Sequence, residues 1–134
     1  MKYNYTKNIR LNFQESITSL KDALKIEGFG ILTEIDVRAT MKMKLGLEYE
    51  NYMIFGACNP EFAYKALQLE YEIGLMLPCN VIIYEKENEV FVSAIMPTVA
   101  MGMVENKELQ SIAEEVEIKL KRVIDSLANI EADK

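Results

Sequence analysis

The sequence predicts an α+β domain, a mainly antiparallel sheet with helices packed on one face and a long C-terminal helix. Three observations carry that expectation. Strand-like and helix-like segments alternate in the order β-α-β-β-α-β-β-α. Two late strands are joined by a charged turn of hairpin length, Glu85-Lys86-Glu87-Asn88-Glu89. The C-terminal segment carries an unbroken apolar stripe at helical spacing. Hairpin pairing with segregated helices favours this class over a doubly wound sheet. A length of 134 residues suits one domain, 1–134.

Tyr3 to Leu11, rich in Tyr and Thr, reads as the first strand. Asn12-Phe13-Gln14-Glu15 has the form of a capping box, and Phe13, Ile17, Leu20 and Leu24 then follow on one helical face. Gly28 stops that helix in the left-handed position, with Phe29 folding back onto Leu24. Ile31, Thr33, Ile35 and Val37 alternate with Leu32, Glu34, Asp36 and Arg38, the pattern of a half-buried strand with an acidic face. Thr40 to Gly46 reads as one or two helical turns, capped by Thr40 and stopped by Gly46.

Tyr52 to Ala57 forms the next strand, and Asn59-Pro60-Glu61 opens a helix with a capping Asn and a proline at its first position. Phe62, Ala63, Ala66 and Leu67 supply its buried side. Val81 to Tyr84 and Val90 to Met96 make the hairpin strands, the second ended by Pro97. Leu109, Ala113, Val116, Leu120, Val123, Leu127 and Ile130 recur at alternating spacings of 4 and 3. Such a stripe serves either a helix laid across the sheet, which Ile112 and Ile124 widen, or a coiled-coil seam in a dimer.

Composition narrows the chemistry. The chain is 50% hydrophobic and 27% charged, values of a folded domain. It contains no histidine, which excludes the Ser-His-Asp triad, the Cys-His pair and histidine-ligated zinc. The net charge of −6 argues against a general electrostatic grip on nucleic acid. The excess is uneven: residues 1–67 balance to +1 and residues 68–134 to −7. The N-terminal residues lack an apolar run of signal-peptide length, and no uncharged apolar stretch reaches the roughly 18 residues that span a bilayer. A cytoplasmic protein with reduced cysteines and no membrane partner is therefore expected. No phosphate-cradling loop, dinucleotide fingerprint or serine elbow is present, so no cofactor is called for.

The residues left to carry chemistry are few. Gly56-Ala57-Cys58-Asn59-Pro60 and Leu77-Pro78-Cys79-Asn80-Val81 each place a Cys-Asn pair beside a proline at a strand end. Antiparallel neighbours would bring the two thiols to one edge of the sheet, and parallel ones would separate them. Cys58, just before a helix N-terminus, sits where thiolate is favoured, and Cys79 then serves as a resolving thiol or a second soft ligand. Alternatively both are small buried hydrophobes. Glu34 and Asp36 share a strand face and suit acid–base work, a divalent cation, or plain solvation. Lys42 and Lys44 follow closely enough to neutralise them. The eight methionines suit core filling or an adaptable groove.

Gly28 to Val37, the Lys44-Leu45-Gly46 turn, Gly56 to Pro60 and Gly74 to Val81 together resemble the family known as domain of unknown function 302. Val92 to Pro97 is similar to the family's final strand, with Met96 where the family more often has Asp. The resemblance implies a small α+β fold, often homodimeric, and supplies no reaction. Cys58, Asn59, Cys79, Asn80, Glu34 and Asp36 match signature positions. With Lys44 they form the candidate ligand-binding set, and no metal site is assigned. The expected function is a homodimer that binds a small ligand or a partner protein at the edge carrying the two Cys-Asn segments. Thiol-dependent redox, sulfur-transfer or metal-binding chemistry through Cys58 and Cys79 is the alternative.

Overall fold

In the computed structural model, which describes residues 2–130, five strands form one antiparallel sheet. They are β1 (Asn4–Ile9), β2 (Gly30–Asp36), β3 (Tyr52–Cys58), β4 (Cys79–Lys86) and β5 (Glu89–Ile95), in the order β1-β5-β4-β3-β2. The helices are α1 (Phe13–Ile26), α2 (Val37–Leu45), α3 (Pro60–Leu69), α4 (Pro97–Ala100) and α5 (Lys107–Ala128), with a 3-10 turn over Tyr71–Met76. The α+β class and the closing helix are as the sequence predicts.

The first helix forms for the reasons its sequence states. Asn12 accepts a 2.8 Å hydrogen bond from the Glu15 amide, and Glu15 accepts one of 3.1 Å from the Asn12 amide. These satisfy donors that a helix start leaves unpaired. At the other end Gly28 adopts φ +86°, and the Phe29 amide donates to Leu24 O at 2.9 Å. Both Phe29 and Leu24 are buried in the main core.

α1 and α5 cover the same sheet face. Leu20 and Leu24 from α1, and Leu120, Val123, Ile124 and Leu127 from α5, join Phe55, Val81, Ile83 and Val92 in one core. The heptad-like stripe is therefore spent inside the chain, against the sheet, and forms no free dimer seam. Asn106 caps α5 by accepting from the Leu109 amide at 3.1 Å. Glu27 ties the end of α1 to α5 through Arg122, at 2.9 Å. A smaller cluster of Ala66, Ile73, Met101, Leu109 and Ala113 fills the space between α3, the 3-10 turn, α4 and α5.

Several local expectations give way. β2 ends at Asp36, and a bulge between Ile31 and Thr33 resets its alternation. Ile31 pairs with Ala57 on the helix side, whereas Thr33 and Ile35 pair with Gly56 and Ile54 on the opposite side. An edge strand reset in this way is largely exposed, not half-buried. α2 starts at Val37 because Asp36 accepts from the Ala39 amide at 2.9 Å, pre-empting Thr40 as the cap. Thr40 instead lies inside the first turn, its hydroxyl donating to Asp36 O at 2.8 Å. Gly46 does stop the helix, at φ +66°. α2 buries none of its residues, so one helix stands off the layer that the others make.

Asn59 precedes α3 but makes no side-chain cap; its Nδ2 donates to Glu27 O at 3.3 Å. Leu67, expected inside, is exposed. The hairpin strands run further than expected, leaving a two-residue turn with Glu87 at φ 54° and Asn88 at φ 65°. Two positive φ values match the right-handed twist of the flanking strands. Pro97 ends β5 and also opens α4, a short helix without a forewarning apolar stripe.

Candidate functional site

The helices leave one sheet face uncovered, and side-chain alternation fixes what it shows. Cross-strand partners share a face. Tyr52, Tyr84 and Phe91 are such partners across β3, β4 and β5, as are Ile54, Ile82, Ser93 and Thr6 from β3 to β1. Tyr52 stacks on Tyr84 with ring centroids 5.6 Å apart, and Tyr84 on Phe91 at 5.2 Å. Ser93 and Thr6 hydroxyls meet at 2.6 Å, a polar pair on a mostly apolar floor.

The segment after α2 turns this face into a groove. Asn51 O accepts from the Glu85 amide at 3.0 Å, while Asn51 Nδ2 donates to Glu85 Oε1 at 2.7 Å. Those bonds hold residues 48–50 beside the sheet. The groove encloses about 870 Å³. Tyr3, Tyr49, Tyr52 and Tyr84 line it above Ile82, Ile95 and Asn80, with Glu48, Glu50, Glu85 and Lys86 also on its walls. Burial first, then the neighbouring phenols of Tyr49, Tyr84 and Tyr3, pushes the Tyr52 hydroxyl above its ordinary value. The four tyrosines thus form one group.

The two cysteines lie at one end of the sheet. β3 and β4 are antiparallel, and Ala57 pairs with Cys79, so Cys58 is the residue next to Cys79's partner, and both cysteines line one small cavity. Both thiols are free; Cys79 is buried and Cys58 half-buried. Burial, with a smaller contribution from Cys58, pushes the Cys79 thiol up to about 11. Burial raises Cys58 as well. Neither is a thiolate at neutral pH, so the position before α3 does not activate Cys58. The cavity that touches both holds about 30 Å³, little more than a water, and its walls include Phe29, Phe62 and Met101. A depression of about 290 Å³ adjoins Cys79 and Asn80 between Leu75 and Pro97. Here Pro78 lies over Gly56, where a Cβ would run into Thr33 Oγ1 and sit 2.7 Å from Pro78 Cγ. Only glycine admits that approach.

The other candidate residues are dispersed. Glu34 is paired with Lys21 of α1 at 3.2 Å, and Asp36 is engaged as the α2 cap. Lys42 pairs with Glu48, not with the β2 carboxylates. Lys44 is exposed on α2 and makes no ion pair among the described residues. Asn59 is held by Glu27, while Asn80 alone of the seven enters the large groove. Among the described residues no group of three or more Cys, Asp or Glu is arranged to hold a metal ion. No helix among them is long and apolar enough to cross a membrane.

The tyrosines escaped the sequence reading. Their signal was present: Tyr52, Ile54, Ile82 and Tyr84 are large and apolar on the face opposite Phe55, Val81 and Ile83. A sheet apolar on both sides either is covered twice or keeps one face for binding.

The model of the family described as "Domain of unknown function DUF302" matches residues 5–127. The chain belongs to this family. A solved DUF302 relative, the crystal structure of an uncharacterized conserved protein from Bacillus stearothermophilus, superposes with a TM-score of 0.90 at 29% identity. The alignment covers 95% of this chain and 99% of that one. The DUF302 fold therefore accounts for nearly the whole length, groove strands included. Among curated proteins none matches the chain.

Proposed function

We propose that this DUF302 protein is a binding module, a cytoplasmic homodimer that holds a small ligand in the groove of its uncovered sheet face. The observation that carries the reading is size and lining together. The groove offers about 870 Å³ with an aromatic wall and a few polar groups, against about 30 Å³ between the thiols and about 290 Å³ beside Cys79. Ligand sites commonly combine several hundred cubic ångströms of largely apolar space with sparse orienting polar groups. Ser93, Thr6 and Asn80 supply those groups.

Dimerisation is assigned to the arm formed by α2 and the residues after it. Met43 is 81% exposed and Leu45 64%, with Leu47 exposed beside them. Apolar side chains gathered on a segment that buries nothing in its own chain favour a protein contact. Replacing both Met43 and Leu45 with Glu is expected to give a folded monomer, with sedimentation equilibrium reading a dimer for the parent chain. A monomeric parent at 100 µM, roughly the range of weak dimers, removes the dimer from the proposal.

For the groove, the neutral dye N-phenyl-1-naphthylamine should bind with enhanced fluorescence, and Tyr49→Ala should weaken it about fivefold, the loss of one aromatic wall. Unchanged dye affinity in that variant removes the groove. Thiol-dependent chemistry is the weaker reading, because both thiols are protonated at neutral pH.

A further inference from the structure

We infer that the groove selects an organic ammonium ion, a quaternary or alkylated amine with a compact positive head. This rests on the groove being the ligand site and adds the ligand's charge and chemical class. Four tyrosines converge there, and aromatic rings attract a cation through the negative potential over their faces. Of the three carboxylates on the walls, Glu48 is paired with Lys42, which leaves Glu50 and Glu85 against one ammonium, Lys86. That balance opposes an anion and adds attraction for a cation.

The rest of the fold sharpens the contrast. Where this protein places its own ammonium groups over rings, it does so elsewhere: Lys7 and Lys121 lie 5.4 and 5.5 Å from the Tyr5 centroid, and Lys65 lies 5.8 Å from Phe62. Among the described residues none is so placed on the groove tyrosines. On the arm, Lys42 is held by Glu48, and Arg38 donates to Asn51 Oδ1 at 3.0 Å. Tyr3 and Tyr49 remain 65% and 48% exposed, so the chain does not fill the space beside them. A primary ammonium carries a tightly held hydration shell, whereas alkylation spreads the charge over methyl groups that pack on rings. The apolar floor of Ile82 and Ile95 suits such a head, and the carboxylates suit its charge.

The test compares choline with its uncharged isostere 3,3-dimethyl-1-butanol by isothermal titration calorimetry at low ionic strength. Choline is expected to bind at least about tenfold more tightly. Tyr49→Leu, which keeps apolar bulk and removes the ring, should weaken choline about fivefold and leave the isostere nearly unchanged. Glu50→Gln should do the same and flatten the dependence of choline binding on salt. Equal affinity for the two probes overturns the ammonium inference while the groove reading stands. Binding of neither probe to the folded protein overturns the inference, and failure of the neutral dye as well overturns the groove.

Discussion

Phe55→Ala is expected to lower the unfolding free energy by about 3–5 kcal/mol, measured by urea denaturation. Phe55 is fully buried on β3, in the core that also holds Leu24, Val81 and Leu120. Its neighbours come from β4, α1 and α5, elements fixed by separate contacts, so the space it leaves cannot close by moving one side chain. A domain of this size is stable by only about 5–15 kcal/mol, so the loss is a large share of the total. Tyr52→Ala removes a ring from the opposite face and should cost less, since Tyr52 is only half-buried. Equal losses at the two positions would mean that the uncovered face is as well packed as the core.

Raising the pH should destabilise the fold through Cys79. Its thiol ionises near pH 9 when free and at about 11 in the folded protein. Between those values the native state holds a proton that the unfolded chain has lost, so unfolding gains as pH rises. The stabilisation is complete below pH 9 and lost as pH passes through 11. Two units correspond to about 2–3 kcal/mol. Cys79→Ala removes the thiol and leaves every other ionisable group common to the two proteins. The stability difference between parent and variant should therefore shrink or reverse by that amount from pH 8 to pH 11. Parallel pH profiles would show that Cys79 does not become more acidic on unfolding.

The same two residues illustrate what the sequence conveyed. Phe55 and Cys79 lie on or beside segments legible as strands from continuous apolar runs, and α1 and α5 were legible from caps and stripes, because those signals are local. The pairing of β1 with β5 joins Asn4 to Ile95 across most of the chain, and no local pattern specifies it. The bulge at Ile31 to Thr33 reversed the face of Glu34, which is why the acidic strand pair became an ion pair to Lys21 and a helix cap. Asp36 and Thr40 are both good capping residues, and only the turn of the chain out of β2 decides between them.

The candidate site was legible only in part. The antiparallel pairing of β3 with β4 brings Cys58 and Cys79 to one end of the sheet, one of the two arrangements the sequence left open. Their burial, which raises both thiols, depends on α3, α4 and α5 closing over that end. Asn80 belonged to the same five-residue segment as Cys79, yet alternation sends it to the other face and into the groove. The tyrosine group assembles from three separate stretches, at Tyr3, at Tyr49 and Tyr52, and at Tyr84, and so has no single motif to read.

Two-dimensional ¹H–¹⁵N NMR during a titration with benzyl alcohol, a neutral aromatic probe, tests the placement of the site most directly. The expected result is a set of saturable amide shifts at Tyr49, Tyr52, Ile82, Tyr84 and Ser93, the residues of the uncovered face. Shifts confined to Cys58, Cys79 and Pro97's neighbours, with the groove amides unmoved, would contradict it and return the site to the Cys-Asn edge.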